Sequence, residues 1–200
     1  DRAMIGAEVR VADRLWTFRE GGWLIGNWAS DLWNEQAQTD WPRAVSSRDG
    51  VPISYEVRGE GEPTLVCVHG WSCDARYWRA QTSYFSAKHR VVTLDLAGHG
   101  HSGLTRTRRT MKAFGEDVQA VTQAVGGRRV ILIGHSMGGS VIAEAARLLP
   151  GRVIGLTGGL LSFDAIVLQG ADHFLMMNRP EEFNQALEKA IHMLSEKSAT

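Results

Sequence analysis

One serine in this chain is set up for acyl chemistry. Gly134-His135-Ser136-Met137-Gly138-Gly139 is entered directly from the apolar run Val130-Ile131-Leu132-Ile133 and left through a helix-like run. A serine alcohol attacks carbonyls poorly unless it is exposed, close to a base and beside backbone N–H donors, and a tight strand-to-helix turn meets all three needs. The spacing is G-x-S-x-G, the nucleophile-elbow pattern in its required context. Gly134 and Gly138 carry no Cβ, so strand and helix can close around a strained Ser136. His135 adjoins the serine, and because neighbouring side chains do not face each other it reads as a packing residue of the turn.

The elements needed to hold such a turn are legible from residue 50 onward, where short β-branched runs alternate with helical patterns, the signature of βαβ units and a mostly parallel sheet. Residues 52–57 alternate as an edge strand, and 64–68 read as a fully buried strand followed by a helix over 75–87. Strands are expected at 91–94, 130–133, 153–156 and 165–168. Helices are expected over 111–125, from Ser136 to about Leu149, and over 180–196, the last amphipathic through Phe183, Leu187, Ile191 and Leu194.

At 200 residues with 44% hydrophobic content, the chain can bury a sizeable core as one domain with an appendage. Lys and Arg total 22 and so do Asp and Glu, which argues against a nucleic-acid partner or a polybasic membrane anchor. No apolar run reaches the ~20 residues a membrane span needs. Cys67 and Cys73 supply neither a disulfide framework nor metal-type spacing, so a reducing, cytoplasmic setting without a metal is expected. Arg106, Arg108 and Arg109 read as a solvated basic face. The start at Asp1, with no basic-then-apolar leader pattern, reads as a trimmed or partial N-terminus.

Several ordered motifs together resemble the α/β-hydrolase fold family, over residues 50–157 and 164 to about 195. His69-Gly70-Trp71 closes a buried strand where that family places its oxyanion loop. The resemblance implies that the backbone N–H groups of Trp71 and Met137 are the oxyanion donors, with His69 and Gly70 at the substrate site and His69 supporting its own turn. Asp95-Leu96-Ala97-Gly98-His99-Gly100-His101-Ser102 is similar to the family's D-x-x-G-x-G-x-S segment, which makes Asp95 and His99 loop-fixing residues. Gly170-Ala171-Asp172-His173-Phe174 resembles the loop carrying the catalytic histidine, so His173 is the expected base. The fold implied is a shortened, mostly parallel doubly wound α/β sheet. The activity implied is a serine hydrolase that cleaves a small-molecule acyl substrate without a cofactor; the serine excludes relatives with an aspartate nucleophile. The alternative is an impaired, hydrolase-like binding module.

The family order places an acid between the serine and the histidine. The chain offers Glu144, on the helix after the elbow; Asp172, adjacent to His173; and Asp164, ahead of the last strand and the weak choice for the acid. The connection between the strands at 153–156 and 165–168 is also shorter than the dozen or more residues a parallel crossover needs. A cap and an acid-bearing strand are therefore expected to be missing near 158–163, through internal deletion, redesign to a minimal form or a misassembled reading frame. Domains are accordingly divided into a Trp-rich extension over 1–45 and a hydrolase-like unit over 46–200. The extension holds tryptophans at 16, 23, 28, 33 and 41 and reads as a hairpin, with a strand-like alternation over residues 8–18. Covering an open pocket is its rival role. Oligomeric state is left open.

Overall fold

The computed structural model describes residues 43–157 and 168–198, together with the backbone of three strands nearer the N-terminus. Those three, β1 (Glu8–Val11), β2 (Arg14–Arg19) and β3 (Gly22–Ile25), pair antiparallel in that order, with Val9 opposite Trp16 and Phe18 opposite Trp23. The alternation over residues 8–18 is thus divided between β1 and β2.

The main sheet has six strands: β4 (Arg43–Ser46), β5 (Pro52–Arg58), β6 (Thr64–Val68), β7 (Val91–Leu94), β8 (Val130–Gly134) and β9 (Val153–Thr157). Their order is β4-β5-β7-β6-β8-β9; β7, β6, β8 and β9 run parallel, and β5 joins β7 antiparallel. The chain therefore forms a shortened, mostly parallel α/β sheet. Residues 52–57, expected at an edge, are flanked on the outside by β4, which begins just ahead of the boundary placed at residue 46. Of β4 only Val45 is even half-buried, so it has little apolar signal to give.

Helices cover both faces. A 3-10 turn at Ala75–Trp78, capped by the Asp74 carboxylate accepting from the Arg76 N–H, runs into α1 (Arg79–Phe85). Then come α2 (Met111–Val125), α3 (Met137–Leu148), α4 (Leu175–Asn178) and α5 (Pro180–Lys197). The boundaries of α2 have local causes: the Thr110 hydroxyl accepts from the Ala113 N–H, and Gly126, at φ 84°, takes the left-handed C-terminal position. Period-two alternation along the central strands feeds two cores. Val66, Val68, Leu132 and Val92 pack with Phe114, Val118 and Ile142 of α2 and α3. Leu65, Cys67, Ile131 and Ile133 pack on the other side with Phe85, Leu187 and Ile191 of α1 and α5.

Arg106 corrects one expectation. It is buried rather than solvated: its guanidinium pairs with Asp117 of α2 (Nη2–Oδ1 2.7 Å) and with Asp49 in the β4–β5 turn (Nε–Oδ2 2.7 Å). The Asp117 carboxylate also accepts from the Ser47 hydroxyl at 2.6 Å and the Ala97 N–H at 3.1 Å. Arg108 and Arg109 are exposed. The strand expected at 165–168 lies, but for Leu168, outside the described residues, as do Asp164 and the interval 158–163.

Candidate active site

Ser136 sits between β8 and α3 at φ 53°, ψ −120°, a region that costs a non-glycine residue on the order of 1–3 kcal/mol, and its residue is exposed. Backbone contacts enforce that conformation. A Cβ on Gly134 would lie 2.6 Å from the Gly138 carbonyl carbon and 2.7 Å from the Gly139 nitrogen, and one on Gly138 would run into the Val68 carbonyl. The His135 N–H donates to the Val68 carbonyl (3.0 Å), the Gly138 N–H to His135 (2.8 Å) and the Gly139 N–H to Ser136 (2.9 Å). Met137 opens α3, so its N–H has no acceptor one turn back and lies at the positive end of the helix dipole.

The turn after β6 packs directly on this bend. A Cβ at Gly70 would come within 3.1 Å of the Ser136 Cβ and 2.9 Å of the His135 Nδ1. The Cys73 N–H donates to the Gly70 carbonyl (3.3 Å), and Ser72 takes φ 56°. His69 is fully buried, with the Leu96 N–H donating to its Nε2 at 3.0 Å. The ring proton therefore lies on Nδ1, which donates to the Gly70 carbonyl at 2.7 Å. Both nitrogens are thus engaged in holding the turn, and Gly70, not the His69 ring, borders the serine. Trp71 is 58% exposed and meets His99 edge-on, ring centroids 5.6 Å apart.

His173 is brought to the same place from the far end of the chain. Its exposed ring lies 4.7 Å, centroid to centroid, from the ring of His135, and its carbonyl accepts from the His135 Nε2–H at 2.8 Å. Among the described residues no hydrogen bond joins Ser136 to His173, and none joins a carboxylate to the His173 ring. Asp172 is spent elsewhere, accepting from the Phe174 N–H (2.9 Å) and the Asn178 amide (2.6 Å). Glu144 pairs with Arg147 at 3.2 Å and packs against Gly115 of α2. Asp95 holds its loop, accepting from the backbone N–H groups of Ala75 and His101, both at 2.8 Å. Burial alone would raise the Asp95 carboxyl, but these bonds and the His101 ring leave it below the usual carboxylate range.

The thiols are quiet. Burial pushes Cys73 up to about 12 and raises Cys67 further still. Among the described residues no cluster of His, Cys, Asp and Glu is arranged to hold a metal ion, and no helix is long and apolar enough to cross a membrane. The tie from His135 to the His173 loop is the contact that reading the sequence missed; its partners are 38 positions apart and nothing in the local pattern pairs them.

Comparison with known proteins identifies the fold family. A model of the alpha/beta hydrolase fold family matches residues 63–192. A non-heme chloroperoxidase of Streptomyces lividans is 40% identical over 113 residues, 54% of this chain and 41% of that protein. A bifunctional esterase/perhydrolase of Acinetobacter calcoaceticus is 35% identical over 101 residues, 50% of this chain and 37% of that protein. Among solved structures, a thermophilic esterase from Thermogutta terrifontis superposes with a TM-score of 0.54 at 29% identity, over 58% of this chain and 44% of that one. The chain thus spans less than half the length of each.

Proposed function

The chain belongs to the α/β-hydrolase fold family, and from that premise we propose that it is a serine hydrolase cleaving a small ester or related acyl compound. Ser136 attacks the acyl carbon while His173 takes its proton and returns it to the leaving group; the N–H groups of Trp71 and Met137 hold the oxyanion. Water then releases the acyl group by the reverse exchange of roles. The observation that carries the reading is an exposed serine at φ 53° on a glycine-tight bend, with the oxyanion turn packed against it. Relatives described as an esterase and an esterase/perhydrolase support it.

Glu144 and Asp172 are engaged elsewhere, and Asp164, the weak choice for the acid, lies outside the described residues. In a serine triad, losing the orienting carboxylate costs on the order of 10⁴ in turnover while the oxyanion donors still act, so even a faint esterase fits. The same reading keeps the residues ahead of β4 as an extension, holds the interval near 158–163 to be shortened, and takes the setting to be cytoplasmic, in keeping with two free cysteines. The unmade Ser136–His173 bond favours a second reading, a hydrolase-like binding module without turnover. A fluorophosphonate probe separates the two. Labelling of the folded protein that disappears in Ser136→Ala supports the hydrolase, and absence of labelling in the folded parent overturns it.

A further inference from the structure

We propose that His135 is a positioning residue for His173: from inside the serine's own bend, its side chain holds the backbone of the base's loop. The inference rests on the reading of Ser136 and His173 as nucleophile and base.

A base in acyl transfer must be placed as well as oriented, and a displacement of about 1 Å can cost on the order of 10² in rate. The carboxylate next to His173 makes no bond to its ring, because Asp172 accepts instead from the Phe174 N–H and the Asn178 side-chain amide. Among the described residues, a side-chain hydrogen bond reaches the loop from the serine's bend: the His135 Nε2–H, donated to the His173 carbonyl at 2.8 Å. His135 is itself fixed at its backbone, its N–H on the Val68 carbonyl at 3.0 Å. A single residue thus links strand β6, the serine's bend and the loop of the base. Its ring also stands 4.7 Å from the His173 ring and 5.4 Å from Phe174, so packing and hydrogen bonding act on the same loop.

The protonation state is determined by the surroundings. Donation to a carbonyl puts the ring proton on Nε2, and Nδ1 is buried against Gly70 without a partner. Burial is the largest influence and holds the imidazole down to about 4, although the bond to the His173 carbonyl acts in the opposite direction, so the ring is neutral at ordinary pH. A cation at this place would sit beside His173 and weaken it as a base; a neutral donor does not. A rival explanation is that the ring only fills space, in which case a phenylalanine would serve equally.

His135→Phe keeps a ring and loses the donor, whereas His135→Gln keeps a donor and loses the ring. With p-nitrophenyl acetate as substrate, the Phe variant should lower kcat by about 10–100-fold with little change in KM, and slow fluorophosphonate labelling by the same factor. The Gln variant should recover most of both. Parent-like kcat and labelling in a folded Phe variant overturn the proposal. An unlabelled parent instead overturns the hydrolase reading beneath it. Ring nitrogen resonances of the parent give an answer independent of any variant's folding: a bare Nδ1 and a protonated Nε2 from pH 5 to 9 support the proposal, and the opposite tautomer or a titration within that span overturns it.

Discussion

Burial holds the imidazoles of His99 and His135 down to about 4 from an ordinary value of 6.5, in each case chiefly because a charged ring would lose its water. An unfolded chain regains the ordinary value, so between these two pH values it binds protons that the folded protein refuses. Stability from these groups is therefore complete above about pH 6.5 and declines toward about pH 4. His101 works in the opposite direction, because its bond to Asp95 raises it. The melting midpoint should fall as pH is lowered through that window, with a shallower slope in His99→Gln; a flat profile would refute the assignment. Ser136 was legible because its signal is local, a serine between two glycines at the end of an apolar run. His69 was legible as a support of its own turn, but its bond from the Leu96 N–H was not, since the two lie 27 positions apart.

The bend around Ser136 depends on how closely β8 and α3 approach. At Gly134 the three atoms nearest an added Cβ belong to the main chain of Gly138 and Gly139, where no flexible side chain can yield. Gly134→Ala should therefore shift α3 relative to β8 and abolish fluorophosphonate labelling of Ser136. Labelling at the parent rate would show that the close approach is not required. The elements that matched the sequence pattern, β6, β7 and α2, have either continuous burial or caps with a local cause. Those that did not match lacked such signals: β4 is short and mostly exposed, and the stretch after Asp74 opens as a 3-10 turn before it becomes α1. Arg106 was misread because an arginine run looks the same whether its charges meet water or, as here, a fully buried Asp117. Removing one partner from such a pair typically costs ~3–5 kcal/mol, because the other charge is then left buried and uncompensated.

Across the whole molecule, two apolar layers share one sheet, and the two cysteines sample different depths of it. Cys67 lies on central β6 in the layer closed by α1 and α5, whereas Cys73 belongs to the turn beside Gly70 and packs with Tyr77. Both thiols are held protonated by burial, so a reagent must wait for the structure to open. Cys73 should react first, through local opening of its turn, and Cys67 only at a rate that follows global unfolding measured in urea. Equal rates for both would contradict the layered arrangement. The Val68 carbonyl, which receives the His135 amide and abuts Gly138, joins the serine's bend to the strand that carries the turn at Gly70. That seam is made of main chain, so changes in the side chains of the outer helices leave the spacing between the two loops in place, provided that Gly138 keeps no Cβ.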